Sequence, residues 1–147
     1  MEHHFILRVI SKMLIPPIML YALYVQFHGD FGPGGGFQAG VIFAVAFILY
    51  AIVFGVETLT LVCPPAVLRA GMALGVLLYA GTGVYSLLRG YNYLDYAALA
   101  EPGHAEHGQH LGILLVEGGV GLTVASAMIA IFVAFASRSP DIKDTDW

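Results

Sequence analysis

The chain has 147 residues, of which 59% are hydrophobic in type and only 11% are charged, where a soluble domain carries about a quarter. Six basic residues against ten acidic ones give a net charge of -4, which leaves no basic patch for nucleic acid. The single cysteine, Cys63, excludes an internal disulfide and any paired-cysteine metal or redox motif.

Asp, Glu, Lys and Arg are absent from 13–29, 31–56, 70–88 and 118–137. A helix crosses a ~30 Å hydrocarbon core with ~20 predominantly apolar residues, at ~1.5 Å per residue. Four such stretches leave no room for a soluble core. The composition therefore predicts an all-α integral membrane protein with four transmembrane helices, at about 6–27, 37–56, 67–88 and 111–136. They form one membrane domain over 1–137, followed by a polar C-terminal tail over 138–147.

The first span needs the turns before Pro16 to reach full length, which puts Arg8 and Lys12 near its end, where long basic side chains snorkel to head groups. Pro16 and Pro17 are expected to kink it. It does not read as a cleaved signal peptide, because it ends in Phe27, His28, Gly29 and Asp30 rather than at a small-residue cleavage site. A glycine-rich loop over 28–36 follows, then the second span, with Glu57 at the opposite surface. Pro64 and Pro65 end any helix and make a short turn. The third span, with Gly71, Gly75, Gly81, Gly83 and Ser86, reads as a packing helix. Tyr91, Tyr93 and Tyr96 read as an interfacial belt. A hydrophilic, histidine-rich loop is expected over 97–110, and the fourth span is interrupted by Glu117. No internal repeat is visible, so an inverted-repeat transporter within this chain is not supported.

With four spans, both termini share a side with the turn between Glu57 and Arg69. That side carries Arg8, Lys12, Arg69, Arg138 and Lys143, and the other carries Arg89 alone. The positive-inside rule then predicts cytoplasmic termini, with the glycine and histidine loops outside.

Three groups of residues could carry chemistry. Gly34, Gly35 and Gly36 after Pro33 allow positive φ at the mouth of a helix, where consecutive amides can converge on a carboxylate such as Asp30. The plainer reading of the same residues is close helix packing through Gly36 and Gly40. Glu117 lies about seven residues into the fourth span, roughly 10 Å along the axis. An acidic group at that depth costs a few kcal/mol and must face protein or water. It is the candidate proton- or cation-exchanging carboxylate, the alternative being a carboxyl used as interhelical glue. His110 lies two turns before it on nearly the same face, so a water file could link them. His104, His107 and His110 could bind a metal, or His28 and His110 a haem. An irregular solvated loop with incidental histidines is the simpler expectation, and no metal or cofactor is assigned. Glu57 could pair with Arg69 across the turn, and Cys63 reads as a small apolar filler.

The segment from Gln26 to Gly40 resembles a known family. His28, Gly29, Pro33, Gly34, Gly35, Gly36, Phe37 and Gly40 match the pattern His-Gly-x-x-x-Pro-Gly-Gly-Gly-Phe-x-x-Gly of the B subunit of the Mrp (Mnh) multisubunit cation/proton antiporters. The related domain of membrane-bound hydrogenases shares it. Chain length, four spans and motif position extend the resemblance over essentially the whole chain. It implies a small hydrophobic accessory subunit of a sodium/proton antiporter in the inner (plasma) membrane of a prokaryote. Its partners would be large complex I-like subunits and other small membrane subunits, with sodium ions and protons as cargo. No group transfer, and so no enzyme, is implied. On this reading Glu117, Asp30, His28 and His110 are ion- or proton-path candidates, and Pro33 to Phe37 with Gly40 form an interface or line the path. Two alternatives stay open at this stage. One is a subunit of a hydrogenase-type redox-driven ion pump, and the other a stand-alone membrane metal- or haem-binding protein.

Overall fold

The computed structural model describes residues 2–100 and 105–138, with side chains for 5–100 and 106–138. Every regular element among them is helical. In chain order these are α1 (Glu2–His28), α2 (Gly36–Phe54), the short α3 (Val56–Val62), α4 (Pro65–Leu88), a 3-10 turn (Tyr96–Leu99) and α5 (Ala105–Ala136). Four of them, α1, α2, α4 and α5, are long and apolar enough to cross a membrane.

The boundaries depart from the expected spans where hydropathy and helix propensity part company. α1 runs through Pro16 and Pro17 as one helix. α2 stops at Phe54 because Gly55 takes φ 97°, a left-handed conformation open to glycine, and the chain re-enters a helix at Val56. The expected turn between Glu57 and Arg69 is thus largely a helix. No ion pair links Glu57 to Arg69 among the described residues; instead the Thr60 hydroxyl donates to the Glu57 carbonyl at 2.8 Å. The larger departure is α5, which begins at Ala105 rather than 111. Polar residues such as Glu106 and His110 forbid burial in lipid but not helix formation. Hydropathy therefore locates the membrane edge and misses the helix end. Glu101 and His104 of the expected loop, and the tail beyond Arg138, lie outside the described residues.

The four spans do not close into a bundle. α1 packs along α2, α2 along α5 and α5 along α4, while α1 touches α5 only slightly. They stand in a row, α1–α2–α5–α4, with α5 inserted between its two neighbours. Only 11% to 28% of the residues in the most apolar window of each span are buried within the chain. Both broad faces of the row are therefore open.

Small residues on α5 explain its central place. On one side a Cβ on Gly40 of α2 would stand 2.6 Å from the Gly121 carbonyl oxygen. On the other side a Cβ on Gly75 of α4 would stand 2.5 Å from the Gly119 carbonyl oxygen, and one on Gly71 would strike the Ser126 side chain. Two helices thus approach one glycine-rich stretch at backbone contact, the geometry that replaces hydrophobic driving force inside a membrane. Gly81 takes no part in this and faces open space. The largest buried cluster, Ala44, Ala51, Leu59, Leu68 and Ile129, lies at the end bearing the termini, where α3 inserts Leu59 between α2, α4 and α5. Cys63 packs against it, and burial pushes its thiol pKa up, consistent with an inert filler.

Overpacking a well-packed contact costs ~1–3 kcal/mol. Gly40→Ala and Gly75→Ala should therefore lower the thermal unfolding midpoint in detergent, whereas Gly81→Ala should leave it unchanged or raise it.

Candidate functional site

The glycine loop folds back on the last turn of α1. The Phe31 and Gly32 amides donate to the His28 carbonyl at 3.0 and 3.1 Å, and the Gly35 amide donates to the Val25 carbonyl at 3.2 Å. Gly35 takes φ 123°, and its carbonyl then accepts from Ala39 at 3.0 Å to open α2. That conformation is costly for any residue with a side chain. Gly34 lies so close to α1 that a Cβ there would stand 2.7 Å from the Val25 carbonyl oxygen.

The loop is a cradle for Glu117. A Cβ on Gly29 would fall 2.7 Å from Glu117 Oε2, and one on Gly35 3.1 Å from Oε1. A Cβ on Gly36 would collide with the Glu117 carbonyl. Gly29, Gly35 and Gly36 are therefore small because α5 crosses at Glu117. The carboxylate lying against the glycines is this one and not Asp30. Pro33 and Phe37 of the same motif point away, and Phe37 is 65% exposed.

Asp30 turns instead to α5. Its Oδ2 is in direct contact with His110 Nδ1, and the Phe31 ring stacks on the same imidazole with centroids 5.8 Å apart. His110 is about half exposed, so the pair adds at most ~1 kcal/mol to stability. Its effect is positional, tying the loop to α5 two turns above Glu117. Gln26, Phe27, Asp30, Phe31, His110 and Glu117 line one cleft of about 230 Å³ with Ile113 and Leu114. Both carboxylates and the imidazole thus meet one space.

His28 is not part of that cleft. Its ring stacks on Tyr24, with centroids 5.1 Å apart, and packs on Gly32. His107 and His110 are on α5 rather than in a loop. His104 lies outside the described residues, and no three metal-ligating side chains converge among the described ones.

Three residues around the site carry little signal in the sequence. Phe31 is one. Another is Gln26, whose Nε2 is buried without a hydrogen-bond partner among the described residues; a lone amide in an apolar run gives little signal. The third is Tyr96, read as belt, whose ring packs on Gly112 of α5. Burial first, then Tyr79 and Glu117, push its phenol pKa up.

A family model described as a domain related to the MnhB subunit of Na+/H+ antiporter matches residues 6–130. A protein of Staphylococcus haemolyticus (strain JCSC1435), provisionally named antiporter subunit mnhB2, is 31% identical over 137 residues, covering 92% of this chain and 96% of that protein. The protein of the same name from Staphylococcus aureus (strain Newman) is 34% identical over 94 residues, 64% of this chain. That match spans 66% of the relative's length, just under two thirds.

Replacing Gly36 by Ala should destabilise the α2–α5 contact by ~1–3 kcal/mol, read as a lower unfolding midpoint. Gly32→Ala, which meets only the movable end of His28, should shift it far less.

Proposed function

Because this chain belongs to the family of domains related to the MnhB subunit of Na+/H+ antiporters, we propose that it is a small hydrophobic accessory subunit of a multisubunit sodium/proton antiporter. The exchange is secondary transport driven by the proton-motive force, with no group transfer. The observation that carries this reading is the open row of helices, in which each span buries little within its own chain. Such a layer is suited to stand between larger membrane subunits, and the partners are complex I-like subunits together with other small ones. The chain spans the inner membrane of a prokaryote with cytoplasmic termini, as the placement of five basic residues on one side and Arg89 alone on the other supports.

Within the assembly, Glu117 exchanges protons or cations, and Asp30 with His110 guards its outer mouth. The shared cleft and the glycine cradle support this assignment. His28 holds the end of α1 through Tyr24 and Gly32 rather than serving the path. The motif glycines fix the carboxylate in place, while exposed Pro33 and Phe37 face a neighbouring subunit or lipid.

The test is cation/proton exchange in everted vesicles, with assembly followed separately by native mass. Glu117→Gln should reduce exchange to background in a fully assembled complex, and Asp30→Asn or His110→Ala should reduce it several-fold. Loss of the complex in Glu117→Gln would assign that carboxyl to structure, and full activity in an intact Glu117→Gln complex would remove it from the path.

A further inference from the structure

A second cleft lies between α1 and α2 toward the end bearing the termini. It measures about 310 Å³ and is lined by Ile15, Met19, Ala46, Phe47, Tyr50 and Val62. That is roughly ten times the ~30 Å³ share of one water in the liquid, and the walls are apolar side chains save for the Tyr50 hydroxyl. Its floor is shaped by Ala46, which is fully buried.

Positive charge stands beside this cleft. Lys12 precedes Ile15 by one helical turn, and its ammonium rests over the Phe54 ring, 5.4 Å from the centroid. Phe54 in turn packs against Tyr50 of the cleft wall, with the rings tilted by 33° and their centroids 4.8 Å apart. The ammonium is thereby held beside the cleft rather than free to sweep the membrane surface, while its N–H donors remain available on the side away from the ring. Arg8 lies four residues earlier, on the same helical face. Neither cation has a carboxylate partner among the described residues.

Depth decides what can answer these charges. Lys12 is about 24 Å along α1 from His28, at ~1.5 Å per residue, just short of the far edge of a ~30 Å hydrocarbon core. An unpaired ammonium at that level calls for an anion at head-group height. The cleft beside it calls for an apolar chain. One molecule supplies both.

We propose that the α1–α2 cleft binds an anionic phospholipid, with an acyl chain against Ile15, Met19 and Ala46 and the phosphate on Lys12 and Arg8. The site is separate from the Asp30–His110–Glu117 cleft, which lies toward the opposite ends of the helices. It fixes a lipid on the open face of two spans that bury little within their own chain.

The assembled complex, extracted in mild detergent and exposed to vesicles of equal phosphatidylglycerol and phosphatidylcholine, tests this by native mass spectrometry of retained lipid. Phosphatidylglycerol should be kept in preference. Replacing Lys12 and Arg8 by Gln should cut its retention by about fivefold per charge, the ratio expected from ~1 kcal/mol per basic residue near an anionic surface. Val62→Trp keeps both charges and fills the cleft from α3, so it should also displace the lipid; it decides the matter if the charge variant fails to assemble. Equal retention of the two lipids, retention unchanged in both variants, or a protein segment crosslinked in the cleft with no lipid retained would each overturn the proposal.

Discussion

The contact on which the rest of the molecule depends is the approach of the α1–α2 loop and the start of α2 to α5 at Glu117. Lipid offers no hydrogen-bond partners and no hydrophobic gain for helix association. Helices therefore associate through tight backbone contact, and a carboxyl at depth must be enclosed by protein or water. Both demands are met in one place. Gly36 lets α2 rest on the Glu117 backbone, and Gly29 with Gly35 leaves room for its two carboxylate oxygens. The positive φ at Gly35 turns the chain into that position. Asp30 and Phe31, on the same short loop, then reach His110 without any further device.

That single crossing also sets the order of the helices. Once α5 is committed to α2, its opposite side is left for α4, and Gly75 on Gly119 closes the contact. The chain passes from α2 to α4 through α3 with little direct packing between those two spans, and the result is a row. A row has two open faces where a bundle has one closed core. In a bilayer such faces are tolerated, because lipid is as apolar as leucine. They are also the kind of surface that a subunit of a larger membrane assembly presents to its neighbours, so the architecture is compatible with the proposed accessory role.

Much of this was legible in the sequence, and for identifiable reasons. Gaps in the charge pattern located the four spans because a buried charge is expensive whatever the fold. The glycine motif was legible as a close approach, since a run such as Gly34 to Gly36 has few other uses. The partner of that approach was not legible: proximity in sequence favoured Asp30, whereas the carboxylate in the cradle, Glu117, lies more than eighty residues further on. The start of α5 is not legible, because polarity in the stretch before 111 marks water and not the absence of helix. The row is not legible either. Small residues on two sides of α5 are visible as Gly119 and Gly121, but assigning each side to a partner requires the register of three helices.

On the proposed function, this chain works as one member of a larger membrane machine. The most direct measurement is extraction in mild detergent through a tag on the polar tail, followed by native mass and peptide identification. The expected result is recovery in a large assembly containing complex I-like antiporter subunits. Recovery of the 15.7 kDa chain by itself, as a monomer or a homo-oligomer, would contradict it.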